Sequence, residues 1–374
     1  MPGKRKATRR EFLSGQAAAD ALADATHGVT GPLSAGADHR TPVEHGEPSA
    51  GSYLLHYTRQ AMACQFEVLV NAGQYTQAGE AAVAALDLLD DLESQLTVYR
   101  PDSEVMEINR TAAAGPVRVE PRLLGLLQRA VELHEQTDGA FDVTSGPLSR
   151  AWGFFRRQGR MPHEASLGEA LARVGSRHLK IDPAAGTIAF DTPGLEINLG
   201  SIGKGYALDR MAERILDNDV RDFLLHGGSS SILARGSRDT ASDDSPGWLV
   251  GIGHPLLRDR RLAELRLVDQ ALGTSGSGVQ FFYHRGQRYG HILDPRTGRN
   301  ATEMLSVTVV APTAAEADAL ATSLFVLGLV GAREYCRRHQ EVAALLILPG
   351  RRTGQIEWHA EGFSPGQLRF LAQD

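Results

Sequence analysis

A carboxylate and a hydroxyl with helical spacing stand near the carboxyl end of the chain. Asp318 and Thr322 lie four residues apart in a segment that follows Pro312. This spacing puts both side-chain oxygens on one face of a helix. Mg²⁺ takes such hard oxygen ligands, usually together with waters and substrate phosphates. A surface aspartate beside a buried threonine explains the same pattern, and the pair alone favours that simpler interpretation.

A glycine-rich turn, NLGSIGKGYA, spans residues 198–207. It is predicted to join a strand to a helix, whose free amides together with Lys204 would suit an anionic phosphate. The turn is not a Walker A loop, because Gly205 follows the lysine where Ser or Thr is needed and Asn198 replaces the upstream glycine. Glycine turns before helices are common, so this pattern alone is a weak indication.

A histidine precedes a predicted turn in the segment HILDPRTG, residues 291–298. His291 lies at the end of a predicted strand, where it could serve as a general base. Arg296 could contact a phosphate or merely a carboxylate in the turn. A plain turn with a hydrogen-bonded histidine explains each residue equally well.

A fourth segment, AFDVTSGP, spans residues 140–147 and brings an aromatic side chain into a predicted short strand. Phe141 could contact the planar ring of a ligand. It could equally belong to the core, where aromatic side chains are common.

The elements predicted around these segments mix helices and strands without a regular strand–helix–strand period. A helix over residues 76–96 follows from the apolar spacing of Val83, Leu86, Leu89, Leu92 and Leu96. A second helix, over residues 121–136, begins at a favourable proline and ends before Asp138-Gly139. Further helices are predicted over residues 206–216 and 314–327, and strands over 65–70, 140–144, 195–199, 222–225, 248–252, 280–283, 289–293, 305–310 and 342–348. This mixture favours an α+β fold over a doubly wound sheet.

Composition excludes several classes of protein. The chain has 374 residues, 42% of them hydrophobic, and a formal net charge of −6, which excludes a coiled coil, a collagen-like chain and a wholly disordered protein. The charge balance argues against a general nucleic-acid binder, and no run of 18 apolar residues predicts a transmembrane helix. Cys64 and Cys336 form no disulfide framework or metal motif, so both are expected to be small buried hydrophobes.

Residues 1–51 are predicted to be a disordered leader before a single catalytic domain over residues 52–374. Residues 15–52 contain no aromatic residue and no isoleucine, so they cannot bury enough apolar area to become ordered. The motif TRREFL at residues 8–13 is similar to a twin-arginine export signal, but Asp20 and Asp24 interrupt the apolar stretch that should follow. A periplasmic location and a cytoplasmic one both remain open.

The four segments, in this order, resemble the ApbE family of flavin transferases. The resemblance extends to YRPDSE at residues 99–104, to Gly227-Gly228 and to TSG at residues 274–276. It spans residues 53–328 and is expected to continue to the C-terminus. It implies two α/β lobes with a flavin between them. It also implies Mg²⁺-dependent transfer of the FMN half of FAD to a Thr or Ser hydroxyl of an acceptor protein, with release of AMP.

The resemblance also assigns roles to individual residues. It places at FAD contacts Met62, Tyr99, Ala140, Phe141, Asp142, Asn198, Lys204 and Ile292. It places at metal contacts Ser201, through its backbone carbonyl, Asp318 and Thr322. The chain departs from some members, which carry Asp where Asn198 stands and Glu where Lys204 stands.

The general base and the exact reaction stay open at this point. His291 is expected to be the base, with Asp318 as the competing candidate. The predicted partners are FAD and an acceptor protein, with no nucleic acid. The same residues would also suit a Mg²⁺-dependent FAD pyrophosphatase that yields FMN and AMP, or an FAD-binding protein without turnover.

Overall fold

Helices and strands follow one another irregularly along the computed structural model, which describes residues 53–238, 246–257, 259–278 and 280–372. The helices are α1 (Ala78–Leu96), α2 (Glu104–Thr111), α3 (Pro121–Gln136), α4 (Gly146–Ala151), α5 (Glu164–Leu171), α6 (Gly203–Leu216) and α7 (Ala314–Arg338). The strands are β1 (Leu54–Ala61), β2 (Cys64–Asn71), β3 (Val117–Arg118), β4 (Leu179–Asp182), β5 (Thr187–Phe190), β6 (Phe223–Gly227), β7 (Ser231–Arg235), β8 (Trp248–Gly253), β9 (Arg261–Leu267), β10 (Ala271–Gly276), β11 (Phe281–His284), β12 (Gln287–Gly290), β13 (Ser306–Ala311), β14 (Ala343–Pro349), β15 (Ile356–Glu361) and β16 (Leu368–Phe370). The mixed α+β class expected from the sequence is confirmed.

The predicted leader and its twin-arginine-like motif lie outside the described residues. The described residues from Tyr53 onward belong to one compact unit, Ser49–Asp374. The domain boundary at residue 52 and the location of the protein in the cell stay predictions.

Eight strands form one antiparallel sheet in the order β1-β2-β6-β7-β10-β13-β14-β15. Smaller sheets have the orders β16-β9-β8 and β3-β5-β4, and β11 and β12 form a hairpin. Side chains alternate between the two faces of the large sheet. On β14, Ala344 and Leu346 face the helices, whereas Leu345 and Ile347 pack with the β16-β9-β8 sheet. Because both faces are covered, this strand is apolar throughout rather than alternating.

Helices α1, α6 and α7 pack together beside the large sheet and carry the candidate residues. Two glycines allow α7 to approach its neighbours closely. A β-carbon at Gly205 in α6 would lie 2.0 Å from the carbonyl oxygen of Ala314, and one at Gly273 in β10 would lie 2.3 Å from that of Ala317. Backbone therefore contacts backbone at both places, which only glycine permits.

Helix α7 extends beyond the predicted end at residue 327. The prediction stops where the structure has a break, because Gly328 adopts φ 71° and ψ −176°, after which the helix continues to Arg338. Within the described ranges, α7 is also the one helix long and apolar enough to cross a membrane by length and composition. Most of its apolar window is buried inside the fold, as in the core helix of a globular protein.

Two predicted strands are wrong. Residues 140–144 form turns, because the Asp142 carboxylate accepts hydrogen bonds from the backbone N–H groups of Thr144 (2.8 Å) and Ser176 (3.0 Å). These amides bond to a side chain instead of a neighbouring strand. Residues 195–199 are extended but make only an isolated bridge, between Glu196 and Ser145.

Most other predicted elements are confirmed, with small shifts of their ends. The helix over residues 121–136 has the predicted bounds, whereas α6 begins at Gly203, three residues before the predicted start. Val83 was expected on the buried face of α1 and is 49% exposed. The first half of this helix packs through small alanines, Ala81, Ala82 and Ala85 among them, and Val83 points away from that face.

Candidate active site

A cavity of about 310 Å³ opens between the end of α1, the loop after it and the glycine turn before α6. Four of the predicted FAD-contact residues line it: Met62, Tyr99, Asn198 and Lys204. Two further lining residues, Glu93 and Arg157, were not singled out from the sequence. We call this space the flavin cavity, after the contacts that the sequence predicts there.

The turn between β1 and β2 presents Met62 to the cavity. Met62 has a left-handed backbone, with φ 49°, and its N–H donates to a carboxylate oxygen of Glu93 at 2.9 Å. That hydrogen bond ties the turn to α1 and offsets the strain of a left-handed methionine. Position 62 is therefore held by the side chain of Glu93.

An aromatic pair borders the mouth of the flavin cavity. The Tyr99 residue is 70% exposed, and its ring centroid lies 5.0 Å from that of Phe155. The Arg150 guanidinium carbon lies 3.9 Å from the centroid of the Phe155 ring. Two flat rings near an opening suit contact with a planar ligand or with a protein segment.

The glycine turn is ordered by Asn198. Its side-chain oxygen accepts a hydrogen bond from the Gly200 N–H at 2.9 Å, and its own N–H donates to the carbonyl of Val143 at 2.7 Å. The turn leads into the first residues of α6, where Lys204 lines the cavity. The positive end of the helix and an ammonium group therefore act together on whatever anion enters.

Asp318 is almost fully buried on α7 and accepts two hydrogen bonds. Oδ1 accepts from the Ser231 hydroxyl at 2.6 Å, and Oδ2 accepts from the Gly205 N–H at 2.8 Å. The Lys204 ammonium nitrogen lies 3.7 Å from Oδ2. Each carboxylate oxygen can accept at two positions, so one position on each oxygen remains for a cation.

Thr322 extends this set of oxygens by one helical turn. Its hydroxyl oxygen lies 3.0 Å from that of Ser275 on β10. Ser201, the third predicted metal ligand, lies in the turn just before α6 and is half-buried. In the part of the chain that the structure describes, no group of three or more His, Cys, Asp or Glu side chains is placed to hold a metal. A site here would use one carboxylate, one hydroxyl and one carbonyl, a donor set that suits Mg²⁺ and keeps positions for water and phosphate.

A carboxylate from each of α6 and α7 accepts hydrogen bonds from the first-turn amides of the other helix. Asp209 on α6 accepts from the N–H groups of Ala314 (2.8 Å) and Ala315 (2.9 Å), in the first turn of α7. Asp318 on α7 in turn accepts from Gly205, in the first turn of α6. Each carboxylate satisfies amides that have no partner within their own helix. Burial nevertheless raises the pKa of Asp209 to about 7, against the opposing effect of these amides.

His291 follows β12 and is largely buried. Its Nδ1 lies 3.2 Å from the Gln280 carbonyl oxygen, and its ring meets that of Phe154 edge-on. Burial lowers the pKa of His291, and the nearby charge of Lys204 lowers it further. With Nδ1–H donating to that carbonyl, Nε2 is the nitrogen that can accept a proton at neutral pH.

The remaining predicted FAD contacts do not line the cavity. Ala140, Phe141, Asp142 and Ile292 are all buried, with at most 6% of each residue exposed. Asp142 holds its turn and lies 3.1 Å from His134 Nδ1, an arrangement that raises the pKa of His134. Contacts from these four positions to FAD stay predictions.

Cys64 corrects one expectation from the sequence. Cys336 is buried as expected, but Cys64 is only half-buried. Burial raises the pKa of the Cys64 thiol, and the charges of Lys204 and Asp318 act on it in opposite directions. This cysteine therefore lies near the candidate site rather than in the remote core.

Ser231 and Asp209 are the main site residues that sequence reasoning missed. Ser231 ends a polar run, Ser229-Ser230-Ser231, which follows the Gly227-Gly228 turn. That polar run was the available signal, because Ser231 opens the buried strand β7 and a buried hydroxyl needs a hydrogen-bond partner. Asp209 had no signal, since its partners are backbone amides more than one hundred residues away.

Comparisons with known proteins find relatives of one family. A family model described as the ApbE family matches residues 62–346. The FAD:protein FMN transferase of Salmonella typhimurium is 34% identical over 294 residues, which cover 76% of this chain and 80% of that protein. That of Escherichia coli K12 is 32% identical over 277 residues, covering 72% and 76%.

Solved structures show the same fold. The apo form of the Pseudomonas stutzeri flavinyl transferase ApbE superposes with a TM-score of 0.72 at 26% identity, covering 83% of this chain and 95% of that one. The Thermotoga maritima apbe protein superposes with a TM-score of 0.72 at 28% identity, covering 82% and 96%.

Proposed function

The chain belongs to the ApbE family, and from this membership we propose that it transfers the FMN part of FAD to an acceptor protein. The new bond is a phosphoester to a threonine or serine hydroxyl, and AMP is the leaving group. The observation that carries the proposal is the meeting of Lys204, the amino terminus of α6 and the buried Asp318 beside one cavity. This combination suits a dinucleotide, because positive groups attract its anionic diphosphate while the cavity takes its flat rings.

The residues of this chain would divide the work between binding and positioning. Lys204 and the positive end of α6 attract the diphosphate, and Tyr99 contacts a ring at the mouth of the cavity. Asn198 fixes the glycine turn, because its side-chain oxygen accepts a hydrogen bond from the Gly200 N–H. Position 198 presents a neutral amide to the cavity.

We propose that Mg²⁺ is held by Asp318, Thr322 and the backbone carbonyl of Ser201. The free acceptor positions on Asp318 and the hydroxyl of Thr322 support this assignment. When bound, a divalent cation neutralises the charge that develops on the leaving phosphate. Lys204 supplies a second positive charge at the same edge of the cavity.

We propose His291 as the base. A protein hydroxyl attacks phosphorus more readily when a neighbouring group removes its proton. His291 is neutral at pH 7 because burial lowers its pKa, and one ring nitrogen stays available. Asp318 is assigned to the cation in this proposal, with one oxygen fixed by Ser231 and the other by Gly205.

The test uses FAD, Mg²⁺ and purified candidate acceptor proteins. Mass spectrometry should find the mass of one FMN on a threonine or serine of an acceptor, with AMP released in equal amount. Without an acceptor, FAD should stay largely intact over the same time. Rapid release of free FMN without an acceptor would instead assign the site to FAD hydrolysis, and intact FAD in every mixture would leave a binding protein without turnover.

A further inference from the structure

Three exposed arginines stand beside the flavin cavity. Arg156, Arg157 and Arg160 lie in the loop between α4 and α5, and all three residues are exposed. Among the described residues, none of their guanidinium groups makes an ion pair or a side-chain hydrogen bond. We call these three residues the arginine rim.

The arginine rim is continuous with the mouth of the cavity. Arg157 lines the flavin cavity, whereas Arg156 and Arg160 line a neighbouring pocket of about 330 Å³ together with Phe155. The Phe155 ring packs against Tyr99, which also lines the flavin cavity. A ligand on the rim would therefore lie next to the opening through which an acceptor hydroxyl must reach the flavin nucleotide.

The loop that carries the rim is fixed by its own hydrogen bonds. The Arg157 N–H donates to the Phe154 carbonyl at 2.9 Å, and the Arg160 N–H donates to the Trp152 carbonyl at 2.8 Å. Trp152 and Phe154 are both buried in a small apolar cluster. A β-carbon on Gly159 would lie 2.5 Å from the Phe282 ring, so the loop also packs closely on the β11–β12 hairpin. The arginines therefore project from an ordered support, which lowers the entropy lost when a partner binds.

The charge of this loop is opposite to that of the whole chain. Residues 150–160 contain four arginines and no acidic residue, in a chain whose net charge is −6. Three unpaired guanidinium groups so close together repel one another unless an anion lies between them. Carboxylates match the planar fork of arginine and accept two parallel hydrogen bonds from it.

We propose that the arginine rim is the docking surface for an acidic segment of the acceptor protein, next to the hydroxyl that receives FMN. This inference rests on the proposed function and adds the chemistry of the partner. The flavin nucleotide is the weaker candidate for the rim, because Arg156 and Arg160 line the neighbouring pocket and not the flavin cavity. Carboxylates on the acceptor would also steer its approach through the field of the three arginines.

The test measures the binding of two labelled peptides of equal length by fluorescence anisotropy, at low salt and with saturating FAD present. Each peptide has one central threonine, flanked by four glutamates in one and by four glutamines in the other. The rim variant is Arg156→Gln/Arg160→Gln. The matched control is Arg351→Gln/Arg352→Gln, which changes the charge equally in the exposed turn between β14 and β15.

The glutamate peptide should bind more tightly than the glutamine peptide, and the rim variant should weaken it about tenfold, as expected for the loss of two exposed ion pairs. The control variant should bind it as the unchanged protein does, and higher salt should erase the difference. The affinity of the rim variant for FAD should not change, because neither substituted residue lines the flavin cavity.

Three results would overturn the inference: equal binding of the two peptides, an equal loss in the control variant, or weaker binding of the glutamate peptide with FAD present than without it. The last result would assign the rim to the dinucleotide. Failure of the proposed function is a separate result, seen when the unchanged protein transfers no FMN to any acceptor although it still binds the glutamate peptide.

Discussion

Replacing Gly205 with alanine perturbs the contact on which the site depends. The new β-carbon would lie 2.0 Å from the Ala314 carbonyl oxygen and 2.7 Å from the Ala315 nitrogen. These are backbone atoms, which cannot rotate away as a side chain can. Helices α6 and α7 must therefore separate by about 1 Å to restore ordinary contact distances in a close-packed interior.

The cost follows from what that separation disrupts. Overpacking of a core costs about 1–3 kcal/mol. The separation also lengthens the hydrogen bond from Gly205 to Asp318 and the two bonds that Asp209 accepts from α7, at about 1 kcal/mol each. Alanine regains about 1 kcal/mol through its higher helix propensity. We expect the free energy of unfolding of Gly205→Ala to fall by about 3–5 kcal/mol.

Urea unfolding followed by tryptophan fluorescence measures this change, with Gly125→Ala as the matched control. Gly125 is exposed in the middle of α3, and a β-carbon there would meet no atom within 4 Å. The control should gain about 0.5–1 kcal/mol, because alanine is the better helix former. FMN transfer by the Gly205 variant should fall even where it is fully folded, since Lys204 and Asp318 move apart. A Gly205→Ala protein as stable as the original would refute the close approach of α6 and α7.

Three further substitutions test the polar groups around the same helices. Burial raises the pKa of Asp209 to about 7, whereas the unfolded chain loses that proton near pH 4. The free energy of unfolding should therefore fall by up to about 4 kcal/mol as the pH rises from about 4 to 7. Asp209→Asn should abolish this fall, as measured by urea unfolding. Ser231→Ala removes the hydroxyl that donates to Asp318 and should lower FMN transfer about tenfold or more, whereas Ser323→Ala, whose hydroxyl bonds only carbonyls of its own helix, should not. His291→Asn should slow transfer about 10²–10⁴-fold. It should also remove the fall in rate on the acid side of the pH profile, which lies below pH 6.5 because burial lowers the pKa of this histidine. Unchanged turnover would exclude His291 as the base.

The sequence predicts those parts of the fold that local signals determine. Pro121 and the Asp138-Gly139 pair mark both ends of α3, and both ends are as predicted. The apolar run of β14 likewise predicts a buried strand. Residues 140–144 have the composition of a strand, but a side-chain carboxylate takes their backbone hydrogen bonds. That competition depends on Ser176, which no local pattern connects with this segment.

Some residues of the candidate site likewise lie in local sequence patterns, whereas others do not. Lys204 and Asp318 lie in local patterns, a glycine turn and an i, i+4 oxygen pair, but only the resemblance to the family assigned them roles. Ser231 and Asp209 contact α7 across 87 and 105 residues of sequence, so only the assembled sheet and helices bring them into place. The arginine rim was not singled out for a related reason, since its meaning depends on the cavity beside it.

The most direct test of the central claim is the Mg²⁺ dependence of FMN transfer, measured by mass spectrometry of an acceptor protein, for the unchanged chain and for Asp318→Asn. The account predicts one FMN per acceptor when FAD and Mg²⁺ are present and none after chelation. It also predicts transfer lower by orders of magnitude for the folded Asp318 variant. Transfer by Asp318→Asn at a rate near the original, or undiminished transfer after chelation, would contradict it.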